Sequence, residues 1–227
     1  MTRLLFDREL QKLQDRLLAL GSEVGQNTTA AVNALLERDD ERARAIIAAD
    51  QHINEEQMSI EMDSLILIAT QQPLATDLRF IASVISIATE LERINDYAKG
   101  ICKIQRLIGD EPLLETSRIL PQMAEKASDM LNRALQAFIQ RDVDAAYAIH
   151  DEDDDVDALY NQVYEDLVAT ITADPSIMDQ ATHLLWAAHN LERTADRVSN
   201  VCERVIFTAT GEIVEMPEES EVAYPQE

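Results

Sequence analysis

The run Leu91-Glu92-Arg93 returns as Leu191-Glu192-Arg193, and at the same spacing of 100 residues Asp96 returns as Asp196 and Cys102 as Cys202. The repetition extends upstream. Arg38-Asp39 matches Arg141-Asp142 at an offset of 103, and that offset also pairs Ile46 with Ile149, Asp50 with Asp153, Ile53 with Val156 and Asp63 with Asp166; Pro73 matches Pro175 at 102. Small offset changes are what short insertions between elements leave behind. A period this long means one supersecondary unit built twice, and two tandem units account for 227 residues better than one irregular bundle does.

The unit is helical. Leu10, Leu13, Leu17, Leu20, Val24, Ala31 and Leu35 recur at helical spacing and predict a helix over about 7–37. A second is expected over 40–71, with Ile46, Ile53, Ile60 and Leu67 as its seam and Pro73 beyond its end. A third, over 75–108, carries Ile81, Ile85, Ala88, Leu91, Ala98 and Cys102. The second copy reads as helices over 115–140 (Leu120, Met123, Ala127, Met130, Leu135), 142–172 and 177–209. With only 5 Gly, 6 Pro and 4% aromatic residues, the composition suits helix and starves a sandwich or barrel of turns and strands. The expected fold is therefore all-α, two pseudo-symmetric three-helix bundles over 1–110 and 111–210, divided at the breaker cluster Gly109-Asp110-Glu111-Pro112. After Gly211 the periodicity stops, and a tail over 211–227 with Glu212, Glu215, Glu218, Glu219, Glu221 and Glu227 and no Lys or Arg reads as disordered.

Lys and Arg number 19 against 43 Asp and Glu, a formal charge of −24. That balance argues against nucleic acid and against a bare anionic membrane surface, and permits a cation or a basic partner. No apolar run approaches the ~18 residues of a membrane span, and Met1 to Leu20 has no apolar core of a signal peptide. Two cysteines make no disulfide scaffold. A cytoplasmic setting is expected.

The chemistry lies in Glu92-x-x-x-Asp96 and Glu192-x-x-x-Asp196. Four residues apart on a helix, two carboxylates share a face, separated by about 6 Å of rise. They repel unless a cation joins them. Glu92 and Asp96 fall in the angular sector of Ile81, Ile85 and Ala88, and Glu192 and Asp196 in that of Ala181, Leu185 and Ala188, so both pairs need partners. The middle helices supply them: Asp153 and Asp157 in the second repeat, Asp50 and the neutral Asn54 in the first. The expected sites are thus Asp50, Glu92 and Asp96, and more strongly Asp153, Asp157, Glu192 and Asp196, all-oxygen clusters suited to Mg²⁺, Ca²⁺, Mn²⁺ or iron. The competing reading pairs the acids with Arg93 and Arg193 and needs no metal.

The acidic run Asp151 to Asp155 reads as a helix start, with only Asp153 in phase with Asp157 and the others exposed. His189 is three residues before Glu192, but one such pair reads as a surface or packed histidine; His52, His150 and His183 form no arrangement. Cys102, Cys202, Trp186 and the methionines read as core. A Gly-rich phosphate loop, G-x-S-x-G, H-E-x-x-H, Cys-x-x-Cys and the Glu-x-x-His of di-iron bundles are all absent. An enzyme is therefore not expected; a carboxylate-bridged dimetal enzyme and a metal-free interaction bundle stay as alternatives.

Gln71-Gln72-Pro73-Leu74-Ala75-Thr76-Asp77-Leu78-Arg79, Leu91-Glu92-Arg93-Ile94-Asn95-Asp96 and Asn190-Leu191-Glu192-Arg193-Thr194-Ala195-Asp196 together resemble the PhoU family of bacterial phosphate-transport accessory and signalling proteins, over residues 1 to about 210. The resemblance implies two three-helix bundles whose E/D-x-x-x-D elements bind iron, manganese, magnesium or zinc through Glu92, Asp96, Glu192 and Asp196 with Asp50, Asp153 and Asp157. It further implies a negative regulator of the phosphate-starvation response, often a homodimer. As partners it implies the ATPase of a phosphate ABC transporter and a sensor histidine kinase. Asn54 departs from a position where the family often has an acid, and Asn95 and Ala195 from positions where it often has Gly.

Overall fold

The computed structural model describes residues 3–109 and 112–216. The helices are α1 (Arg3–Glu37), α2 (Asp40–Gln71), α3 (Ala75–Ile108), α4 (Leu120–Gln140), α5 (Val143–His150), α6 (Asp153–Ala173) and α7 (Met178–Thr210), with 3₁₀ turns at Glu115–Ile119 and Pro175–Ile177. No strand occurs among the described residues. Each repeat is a three-helix bundle: α1, α2 and α3 in the first, α4, the α5–α6 rod and α7 in the second.

The repeated Arg-Asp step has a repeated geometry. Arg38 and Arg141 both take left-handed backbone conformations, with φ of 58° and 56°. The aspartate that follows each one caps the next helix: Asp39 accepts from the Arg42 N–H at 2.9 Å, and Asp142 from the Ala145 N–H at 3.0 Å. This turn folds α2 back on α1 and α5 back on α4.

The two bundles share one core. α3 and α7 run antiparallel along each other at the centre, and α1 packs on α4, so four helices form a continuous apolar interior with α2 and α5–α6 on the outside. Thr208 donates to Ser83 Oγ at 2.7 Å across α7 and α3, and Asn200 Nδ2 donates to Glu90 at 3.2 Å. Phe80 and Phe138 stack between the repeats with ring centroids 5.0 Å apart. α1 and α4 approach closely because Gly21 has no side chain: a Cβ there would lie 2.1 Å from Leu135 Cδ1.

The seam residues behave as their spacing predicts. Ile46, Ile53, Ile60 and Leu67 are buried, as are Leu120, Met123, Ala127, Met130 and Leu135. Four expectations are corrected. The rod over 142–172 is broken at Asp151-Glu152, where the first repeat has Ala48-Ala49 in an unbroken α2. Acids are favoured in a helix's first turn, and Glu152 just before it is held by Arg133, whose Nη1 and Nη2 donate to it at 2.7 and 2.6 Å. Glu152 is consequently half-buried rather than exposed. Trp186, Met58, Met62 and Met178 lie on the surface rather than in the core. Finally, part of the tail is packed: Val214 and Met216 sit against the core, and the Met216 N–H donates to Glu203 Oε1 at 3.0 Å. The rest of the expected disordered tail, 217–227, lies outside the described residues.

Candidate metal centre

The break between α5 and α6 places Asp153 in the first turn of α6, facing α7. α6 and α7 are antiparallel, which sets Asp153 and Asp157 opposite Asp196 and Glu192. One carboxylate oxygen each from Asp157, Glu192 and Asp196 lie within 4.8 Å of one another. Oxygens around one hard cation at 2.0–2.6 Å are at most about 5 Å apart, so the three fit a shared ion. Asp153 is 9% exposed, and its Oδ1 accepts no hydrogen bond; Glu192 Oε2 is likewise buried without a donor. Buried carboxylate oxygens without donors are costly, and an all-oxygen donor set of this kind suits a hard cation.

Electrostatics reports the same shortage. Burial, then the charges of Asp196 and Asp157, push the Asp153 carboxyl up to about 7. Burial, then Asp196 and Asp157 again, push Glu192 up to about 7. The positive end of α6 favours an anion at Asp153, but burial and the neighbouring carboxylates outweigh it.

Around the acids stand groups the sequence reading passed over. Ser199 Oγ donates to Asp153 Oδ2 at 3.4 Å and lies 3.0 Å from His150 Nδ1, so the imidazole donates to the hydroxyl. His189 Nδ1 is 3.1 Å from Glu192 Oε2 but not in hydrogen-bonding geometry, and burial beside Arg193 lowers its pKa. Tyr160 on α6 packs tilted on that ring, centroids 6.0 Å apart. An open cleft of about 710 Å³, lined by His150, Asp196, Ser199 and Arg204, leads from the cluster to the strap at 213–216.

The two arginines that supported a metal-free reading act on Glu92 and Glu192 through their charge, but their close contacts are with other groups. Arg193 Nε donates to the Tyr97 hydroxyl at 3.1 Å and its guanidinium lies over that ring. Arg93 Nη1 lies 3.8 Å from Glu90.

The first cluster assembles differently. Asp50 and Asp96 meet on an ammonium, with Asn54 beside Asp50 and Glu92 within electrostatic reach of both acids. Lys99 Nζ donates to Asp50 Oδ2 at 2.5 Å and to Asp96 Oδ1 at 3.0 Å. Asn95 Nδ2 donates to Asp50 Oδ1 at 3.0 Å, and Asn54 Nδ2 lies 3.4 Å from Oδ2. Here the Lys99 ammonium bridges Asp50 and Asp96 and takes the place that an ion shared by those two acids would need. Lys99 was legible: at the repeat offset of 100 it aligns with Ser199. Glu92, pushed up by burial and by Asp96 and Asp50, keeps the strained side of the cluster.

Both repeats match the PhoU domain, over residues 17–105 and 120–205. The chain belongs to the PhoU family. It is 36% identical over 217 residues, 95% of this chain and 99% of the other, to the phosphate-specific transport system accessory protein PhoU homolog of Clostridium acetobutylicum. It superimposes with a TM-score of 0.86 on the crystal structure of the phosphate transport system regulatory protein PhoU from Streptococcus pneumoniae, at 33% identity, covering 93% of this chain and 100% of that one. The crystal structure of PhoU from Pseudomonas aeruginosa matches at the same TM-score, 30% identical, with 91% and 100% covered. No described helix of this family member is long and apolar enough to cross a membrane.

Proposed function

We propose that this PhoU-family chain is a cytoplasmic accessory regulator of phosphate uptake that binds a hard metal ion between α6 and α7. The observation that carries the metal is the meeting of Asp157, Glu192 and Asp196 within 4.8 Å, beside an Asp153 oxygen buried without a donor. Asp157, Glu192 and Asp196 would hold the ion and Asp153 would add charge behind them. When bound, the metal supplies charge neutralisation and a clamp between two helices; iron, manganese and magnesium suit these oxygens, and zinc is the remaining candidate. Held there, it would fix α6 on α7 at the break after α5.

The names of the relatives support the phosphate-transport role. Negative regulation, coupling of a transporter ATPase to a sensor histidine kinase, and homodimerisation rest on the family resemblance. A charge of −24 suits docking onto a basic face of such a partner.

Elemental analysis of the purified protein tests the reading. The Glu192→Gln, Asp196→Asn chain is expected to retain far less iron, manganese or magnesium than the wild type. Equal metal content in the two would refute it. A pull-down from phosphate-replete cells in which the transporter ATPase fails to co-elute would refute the partner.

A further inference from the structure

We propose that Lys99 is the resident cation of the first carboxylate cluster and excludes metal from it, so that the two halves of the repeat are no longer equivalent and only the α6–α7 half takes an ion. The part that concerns α6–α7 rests on the function proposed above; the part that concerns Lys99 stands on its own contacts.

Three substitutions between the repeats separate the clusters. Lys99 stands where the second repeat has Ser199, Asn95 where it has Ala195, and Asn54 where it has Asp157. Each exchange gives the first cluster a donor or a positive charge, and each gives the second a smaller group or a further acid. The results are visible at Asp50 and Asp153, the equivalent aspartates of the two middle helices. Both oxygens of Asp50 are occupied, Oδ1 by Asn95 and Oδ2 by Lys99 and Asn54. Asn95 is itself fixed, its Oδ1 accepting from Asn27 Nδ2 at 2.9 Å. Asp153 has one 3.4 Å bond from Ser199 to Oδ2 and none to Oδ1.

Geometry makes lysine and metal mutually exclusive. Nζ lies 2.5 Å from Asp50 Oδ2 and 3.0 Å from Asp96 Oδ1, between the acid of α2 and the acid of α3. A metal joining the same two oxygens would need that place. An ammonium tethered by its own helix is present at a fixed high effective concentration, which an ion from solution must outcompete. Lys99 is also three-quarters shielded, at 23% exposure, so its charge is poorly screened.

Mn²⁺ binding measured by equilibrium dialysis and elemental analysis of full-length chains tests the proposal. Asp157→Asn, Glu192→Gln, Asp196→Asn together disable the second cluster. This chain is expected to bind no Mn²⁺. Adding Lys99→Ser is expected to raise uptake from none to about one ion per chain, and Lys99→Arg, which keeps a cation, to leave it at none. Further substitution of Glu92→Gln and Asp96→Asn should abolish the gained ion. Uptake by the disabled chain with Lys99 intact, removed by Glu92→Gln and Asp96→Asn, would overturn the proposal. So would a Lys99→Ser chain that keeps full helicity by circular dichroism and gains no ion. Should the multiply substituted chain lose its helicity, the single Lys99→Ser chain decides: one extra Mn²⁺ over wild type supports the lysine's role, and equal uptake overturns it. A wild type that binds no Mn²⁺ while Lys99→Ser does would remove the α6–α7 reading and leave Lys99's role supported.

Discussion

Asp153 and Glu192 make the metal-free protein sensitive to pH in an uncommon direction. Both carboxyls titrate near 7 in the folded state, against ordinary values of 3.8 and 4.5. Between about pH 4.5 and 7 the folded chain therefore holds protons that the unfolded chain has released. Stability then falls as pH rises through this window and levels off above about 7. From pH 5 to 7, two units at about 1.36 kcal/mol each give about 3 kcal/mol per group. The two carboxyls share the same neighbours and raise one another, so the pair contributes roughly 3–4 kcal/mol rather than twice that. In a chain of this size that corresponds to a drop of about 10 °C in melting temperature. The assay is thermal or urea unfolding in chelator at pH 5, 6, 7 and 8, with Asp153→Asn, Glu192→Gln as the reference that carries every other charge unchanged. The wild type is expected to lose about 10 °C relative to the reference between pH 5 and 7, and saturating Mn²⁺ to restore much of it at pH 7.5 and little at pH 5, where protons compete. Parallel curves for the two proteins would show that these carboxyls are not held together without a cation, and would refute the reasoning.

Gly21→Val drives a side chain into Leu135 at the α1–α4 contact and is expected to cost about 2 kcal/mol, read as a lower urea midpoint at unchanged slope. Arg141→Gly relieves a left-handed residue that ends α4 and is expected to stabilise by up to about 1 kcal/mol, or a few degrees of melting temperature. Cys102 and Cys202 are buried and pushed up to about 12, so both thiols should resist a disulfide reagent at pH 8 until the chain is unfolded in urea.

Periodicity and repetition determined much of this protein. The seams of α1, α2 and α4, the Arg-Asp turns and the doubling of the unit are local properties, set by spacing along one helix or by the residues of one turn, and they can be read without knowing what lies opposite. That the paired acids share a face was legible for the same reason, because four-residue spacing fixes a face and a hairpin fixes which faces meet. Whether a cluster is short of charge is a different kind of question. It depends on whether the one lysine in reach folds in, and Lys99 reaches Asp50 from another helix, 49 residues away in sequence. The same holds for Arg193, which sits next to Glu192 in the chain yet turns its Nε donor to Tyr97 of α3. It holds too for Trp186, whose apolar ring suggests core while the packing of α7 leaves its sector on the surface. Helical spacing decides which side of a rod a residue occupies; only the assembled bundle decides what waits on that side, because charge pairing and burial are made by neighbours that the chain brings from far away.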